Sequence, residues 1–297
     1  MSATINEPIG LRSALLALLV SVFWAGNVAA LKLGLVVFPP FWNAFWRMLF
    51  GIAALLAWAW WRRIPIHPGA SEHRRLVQLG LLFAVQISLL NAGADLTSPA
   101  YTVVLINAHP IFANLFGHFA AHEQRLGWMR LAGLAIAFAG ICVLVLGTPA
   151  SALARNPLLG NAMLVASAAL LGLRSVYTRH LVQGIDPVRA IAWQCIVSTA
   201  LFLVAAALLE PMRLGPASFV SVSALAYQGI IVAGFCFVVW TELLRRHSAG
   251  TLSMFAFTVP FFGVLVAALV FGEAVTPRII VSGILVTAGI GIVTRQG

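Results

Sequence analysis

"HPIFANLFGHFAAHEQ", His109 to Gln124, places a proline inside an apolar run that ends at a single glutamate. Proline inside a helix removes a backbone hydrogen bond and crowds the preceding turn, at about 3 kcal/mol. The same defect returns in "VPFFGVLVAALVFGEA", Val259 to Ala274. Pro110 and Pro260, Phe112 and Phe262, Leu115 and Leu265, Glu123 and Glu273 all stand 150 positions apart. A costly feature used twice at a fixed spacing belongs to the architecture, and it divides the chain into two related halves.

Around these stretches the chain is apolar almost throughout. Of 297 residues, 61% are hydrophobic and only 9% are charged, against about 25% charged in a soluble domain. A membrane span needs about 20 apolar residues, and such runs fall at roughly 13–34, 40–61, 76–95, 98–121, 128–147, 158–179, 188–209, 219–243, 250–272 and 278–294. The stretch from Leu76 to Glu123 is too long for one helix. "ADLTSP", Ala94 to Pro99, supplies its turn, with Pro99 suited to a helix start. The first run is long enough to span and has a counterpart in the second half, so it reads as an uncleaved span and not a signal peptide. The expected fold is all-α, an integral membrane bundle of ten transmembrane helices.

Charge orients the bundle. With the N-terminus inside, twelve Lys and Arg residues fall in the cytoplasmic loops and four on the opposite side, while Arg47 and Arg174 lie within spans. By the positive-inside rule both termini are cytoplasmic. The net charge of +10 therefore belongs to span ends and anionic headgroups, not to nucleic acid. The repeat extends into the early spans at an offset of 147, pairing Asn27 with Arg174, Lys32 with Arg179, Pro40 with Pro187 and Trp46 with Trp193. From Ser98 and Ser248 onward the offset is 150. Each half, residues 1–150 and 151–297, then holds five helices. Five is odd, so the halves are inverted relative to each other. Inverted halves with proline-interrupted spans at matching positions are the pattern of secondary transporters, and they mark Pro110 and Pro260 as hinges.

"FWAGNVAALKLGL" (Phe23 to Leu35), an arginine early in the second span (Arg47) and the doubled proline–glutamate segment together resemble the drug/metabolite transporter superfamily. The resemblance covers nearly the whole chain and is to the ten-helix, two-repeat EamA type, which includes bacterial exporters of amino acids, notably aromatic ones. It implies a central cavity lined chiefly by spans 1, 3, 4, 6, 8 and 9. Arg174 and His109, both polar and both within spans, depart from the commoner pattern of the family.

Candidate substrate-binding residues follow from polar and aromatic groups inside spans, which are expensive toward lipid. On a continuous fourth helix Asn114 and His118 fall within about 20° of Asn107, with Pro110 beside that stripe and His109 on the opposite side. Trp24 and Asn27, three apart, share a face of the first span. Arg174 can meet a carboxylate bidentately or reach the nearby interface. Asn91 and Asp95 point to an outer vestibule. Tyr177 and Trp240 are candidate aromatic walls, with anchoring in the interfacial belt as the alternative. Glu123 and Glu273 end their helices and are expected to fix loops or neighbouring helix ends. Gly133 with Ala137, and Gly283 with Thr287 and Gly291, permit close helix contact within the bundle or against a second copy.

Other classes lack their groups. There is no GxSxG, no P-loop, and "HEQRL" (His122 to Leu126) lacks the second histidine of a metalloprotease site. Cys142, Cys195 and Cys236 sit in apolar spans as small hydrophobes, so neither metal nor cofactor is expected. Cation-drug pumps need a carboxylate inside the membrane, and all eight Asp and Glu residues lie in loops or near span ends. A phosphorylated substrate would call for several converging cations, and only Arg47 and Arg174 are within spans. The expectation is a secondary exporter of small metabolites, foremost amino acids with a neutral or aromatic bias, with multidrug efflux as the alternative. Its surroundings are a bacterial inner membrane, and its assembly is a monomer or weak homodimer.

Overall fold

The computed structural model describes residues 9–121, 128–147, 151–211, 218–247, 252, 255 and 258–294. Glu123 and the side chain of His118 lie outside the described residues. The described residues form ten helical spans and no strand. They are α1 (Leu11–Leu35), α2 (Pro40–Trp61), α3 (His73–Leu96), α4 in two pieces (Pro99–Ile106 and His109–Ala121), α5 (Trp128–Val145), α6 (Pro157–Leu181), α7 (Pro187–Leu209), α8 (Phe219–Arg246), α9 (Thr258–Phe271) and α10 (Pro277–Thr294). Seven are long and apolar enough to cross a membrane, and α5, α9 and α10 are shorter apolar helices.

Helix starts follow local chemistry. Pro40, Pro99, Pro157, Pro187 and Pro277 each open a helix, where proline's missing N–H has no partner to lose. Ser98, Asn156, Asp186 and Ser218 accept backbone N–H groups from the first turns of α4, α6, α7 and α8. The outer surface is apolar, with Leu15 and Val22 of α1, Val204 and Leu208 of α7, and Leu265 and Leu269 of α9 exposed. That suits lipid, which takes apolar side chains but leaves the backbone to satisfy itself.

The repeat is visible in the helix joints. On α3, a Cβ added at Gly80 would stand 2.4 Å from Val197 of α7. On α8, a Cβ added at Gly229 would stand 2.5 Å from Phe50 and from the Arg47 carbonyl of α2. Val197 and Phe50 are 147 positions apart. One joint therefore occurs twice, with the halves exchanging roles. The α5–α10 pair closes through Gly133 against the Gly289 carbonyl, and Ser282 Oγ donates to Gly140 O at 2.7 Å. Gly283, expected to pack within the bundle or against a second copy, lies away from this contact, and a Cβ there would meet nothing within 4 Å. The contact face of α10 carries Ser282, Val286 and Gly289 instead, displaced round the helix from the predicted stripe.

Pro110 breaks α4 outright, with a turn at Asn107 and Ala108 between the two pieces. The carbonyl left without its usual donor is Ile106 O, and His109 Nδ1 donates to it at 3.2 Å. Asn107 Nδ2 donates to Val103 O and Asn114 Nδ2 to Pro110 O, both at 2.8 Å. His109 thus supplies the donor that the proline lacks, as an apolar surrounding requires, and the two asparagines add bonds to carbonyls beside the break. Near the matching proline, Thr258 Oγ1 donates to Phe255 O at 2.7 Å. From Tyr227 to Cys236, α8 winds as a π-helix, a wider turn that absorbs an extra residue. No residue pattern marks it; the nearest signal is the change in repeat offset.

Candidate functional site

Between the halves lies a cavity of about 170 Å³, where a single water needs about 10–15 Å³. Its wall is built on the repeat. Trp24 and Leu171, Asn27 and Arg174, Val28 and Ser175, Arg47 and Gln194 line it as pairs at the 147 offset. Ile87 and Phe237, Leu90 and Trp240, His109 and Val259 line it as pairs at the 150 offset. Residues from α2 and α7 take part, so the lining is wider than the six spans that the resemblance implies.

Five of the eight predicted contact residues meet in this cavity: Trp24, Asn27, Asn107, Arg174 and Trp240. The Trp24 and Trp240 rings pack with centroids 4.8 Å apart. Asn27 Oδ1 is buried without a partner among the described residues. Asn107 is held by its bond to Val103 O. Three predicted residues lie elsewhere. Asn91 is fully buried and donates to Pro40 O at 2.9 Å, pinning the start of α2. Asn114 is occupied at the Pro110 carbonyl. Tyr177 ties α6 to α3 through Arg75 O and Gln78 Oε1, each at 3.1 Å.

The error on α4 has a physical cause. A helical wheel assumes one continuous helix, and the turn at Asn107–Ala108 resets its phase. His109, placed opposite Asn107 by the wheel, shares the cavity with it. Arg47, Gln86 and Gln194 also line the cavity. Arg47 was visible as an intramembrane charge, and the 147 offset pairs it with Gln194. Gln86 carries no such mark and is fixed by Ser167, its Nε2 donating to Oγ at 2.9 Å.

The electrostatics of the site are one-sided. Arg47 is 1% exposed, and its Nε and Nη1 have no partner among the described residues. Arg174 Nη1 donates to Gln194 Oε1 at 3.1 Å, its Nε has no partner, and its guanidinium stands 4.8 Å from the Phe83 ring and 5.4 Å from that of Phe237. Aromatic faces favour a cation but leave N–H donors in the ring plane of the guanidinium unused. Among the described residues no carboxylate lines the cavity. All six in the described residues are engaged elsewhere. Glu72 pairs with Arg189 at 2.9 Å, Asp95 with Arg155 at 2.6 Å, and Glu242 with Arg245 at 2.8 Å. Asp186 caps α7, Glu210 accepts the Phe41 and Trp42 amides of α2, and Glu273 accepts the Ala100 amide of α4 at 2.9 Å. The Gly69 amide and then Arg189 hold the Glu72 carboxyl below the usual range, while burial raises that of Glu210.

The cavity is also lopsided along the membrane normal. It reaches Thr178 and Leu244, in the last turns of α6 and α8, on the face where α1 begins, as the contact of His247 with Ser13 at 2.9 Å shows. Toward the opposite face it stops at Leu90 and Arg47. That face is closed by Lys32 Nζ donating to Thr97 O, by Thr97 Oγ1 donating to Asn161 Oδ1 at 2.8 Å, and by the Asp95–Arg155 pair. Among the described residues no cluster of His, Cys, Asp and Glu has the makings of a metal site.

A ten-helix membrane bundle with a repeated half and, between the halves, a largely apolar cavity that carries a few charged and amide side chains has the build of a secondary carrier. The chain belongs to the EamA-like transporter family, whose model matches residues 11–146 and again 158–295. It is 26% identical to an "Uncharacterized transporter" of Archaeoglobus fulgidus, over 95% of this chain and 97% of that one. It is 25% identical to a protein of Salmonella typhimurium named "Probable amino-acid metabolite efflux pump", over 93% and 92% of the two chains. A solved crystal structure shares the fold with a TM-score of 0.71 at 19% identity, covering 96% of this chain and 99% of that one. The protein is a multi-pass membrane transporter and not an enzyme.

Proposed function

We propose that the protein exports small carboxylate-bearing metabolites of the amino-acid class across a bacterial inner membrane by alternating access. The observation that carries this is the cavity, which Arg47 and Arg174 line together with amides and indoles and, among the described residues, no carboxylate. Guanidinium groups bind carboxylates through paired, charge-assisted hydrogen bonds. The Trp24–Trp240 pair, its rings tilted 60° to each other, offers an apolar corner that suits an aromatic or apolar side chain. A lipophilic cation would meet two positive charges and no counter-charge, which argues against multidrug efflux. Relatives named amino-acid metabolite efflux pumps support the direction and the substrate class.

On this reading both termini are cytoplasmic and the cavity faces the cytoplasm. Residues 1–150 and 151–297 are the two inverted units, and they exchange conformations about the α4 and α9 prolines. The test is flux in liposomes holding the purified full chain. Carboxylate-bearing amino-acid metabolites should show saturable counterflow, and their decarboxylated amines should not. A cysteine replacing Leu244, in a variant with Cys142, Cys195 and Cys236 replaced, should react only from the side of the termini. Movement of lipophilic cations without movement of any carboxylate would transfer the protein to the drug-efflux class.

A further inference from the structure

We infer that the preferred cargo is a small organic anion of net negative charge, one in which no ammonium offsets the carboxylate. This rests on the carrier reading above and narrows it. Arg47 and Arg174 line one cavity, and neither has a carboxylate partner. A guanidinium does not lose its proton in a protein, so both charges persist when the cavity is empty. Burying ions without counter-charge is costly, and the cost falls only when an opposite charge arrives. Every described carboxylate is already committed to a helix end or a surface cation. The described residues supply no counter-charge, and on this inference it comes with the cargo.

A free zwitterionic amino acid serves this cavity poorly. Its carboxylate answers one guanidinium, while its ammonium brings a third positive charge. The groups there that can receive it carry no counter-charge: the Asn27 carbonyl oxygen, without a partner among the described residues, the indole faces of Trp24 and Trp240, and the neutral oxygens of Asn107, Ser175 and Thr241. Converting the amine to an amide removes that charge and keeps a donor and an acceptor, which Asn27 and Gln194 can meet. Gln194 Nε2 is buried without a partner among the described residues. A second acidic group in place of the amine would answer the second guanidinium. The apolar remainder of the lining, with Ile87, Leu90 and Phe237, accepts the body of the molecule. The class is thus an N-acylated amino acid or a dicarboxylate, and these share the chemistry that the cavity reads.

The test compares phenylalanine, N-acetylphenylalanine, phenethylamine and a saturated dicarboxylate as ligands of the purified full chain. Binding is read as the shift in thermal unfolding, and transport as counterflow in liposomes. N-acetylphenylalanine or the dicarboxylate should act at a concentration at least tenfold lower than phenylalanine. Arg47→Gln and Arg174→Gln should each shrink that advantage to a few-fold. Without ligand, both variants should unfold at the wild-type temperature or above it, because each removes a charge that has no counter-charge among the described residues. A fall in ligand-free stability would mark the arginines as structural and count against the inference. If phenylalanine binds and moves as well as the two anions or better, the inference is overturned while the exporter reading stands. If only phenethylamine binds or moves, or if none of the four does, both are overturned.

Discussion

The two halves place the same pair of chemical groups at the same pair of positions, but in opposite order. In the first half the amide stands on α1 (Asn27) and the guanidinium on α2 (Arg47); in the second the guanidinium stands on α6 (Arg174) and the amide on α7 (Gln194). The backbone joints are matched, as Gly80 against Val197 and Gly229 against Phe50 show. Packing has kept the repeat while the cavity's charge has not. A carrier whose halves trade conformations would otherwise see equivalent surroundings in its two states. Here the charged groups lie on non-equivalent helices, so on the proposed alternating-access cycle the inward and outward states would differ electrostatically even where their backbones correspond.

The comparison is broken most strongly at positions 27 and 174. Arg174→Asn alone should lower affinity for a carboxylate cargo about ten- to a hundredfold, the loss of a charged hydrogen bond at about 1.5–3 kcal/mol. If the two positions are equivalent parts of one wall, the exchange Asn27→Arg with Arg174→Asn should recover a substantial part of that loss. Counterflow of the double variant is the readout, and no recovery would show that α1 and α6 present different surfaces to the cargo.

A smaller effect is expected at the prolines. Pro110→Ala restores an N–H able to reach Ile106 O, in competition with His109, and lets α4 run straight. Transport should fall severalfold, on the order of 1 kcal/mol, with expression and unfolding temperature preserved. Pro260→Ala should act in the same direction if α9 is the working counterpart of α4. Unchanged transport in both singles and in the double would make the breaks incidental.

The mildest contrast lies at helix starts. Asp186 caps its own helix α7, whereas α2 begins at Pro39 and Pro40 without a side-chain cap and borrows Glu210 from the other half. Asp186→Ala and Glu210→Ala should each cost about 1 kcal/mol of stability. Only Glu210→Ala should also loosen the seam between the halves, measured as faster hydrogen exchange at Phe41 and Trp42.

Much of this was legible in the sequence, for reasons that differ by residue. Spans are set by apolar length, so all ten could be placed. The break in α4 was legible because Pro110 has a counterpart in Pro260. Trp24, Asn27 and Arg174 were found because polar or amphipathic groups inside spans are costly and stand out. Asn91, Asn114 and Tyr177 stand out for the same reason, yet their donors are taken by Pro40 O, Pro110 O and the start of α3. Periodicity does not reveal which buried amide is already satisfied by a distant carbonyl. Nor does it survive a break, which is why His109 was assigned to the wrong side. The π segment of α8 was hidden because any apolar residue can sit in a wider turn.

The contact between Glu273 and the Ala100 amide also bears on how the chain is made. Residue 100 leaves the ribosome long before residue 273, and chains fold progressively from the N-terminus during synthesis. During that interval α4 has Ser98 as its own cap, while the Ala100 amide waits for an acceptor. The first part of α2 waits in the same way for Glu210. Early helices are therefore finished by late loops, and a chain stalled before the α9–α10 turn would hold its fourth span inserted but incompletely anchored, a natural substrate for membrane quality control.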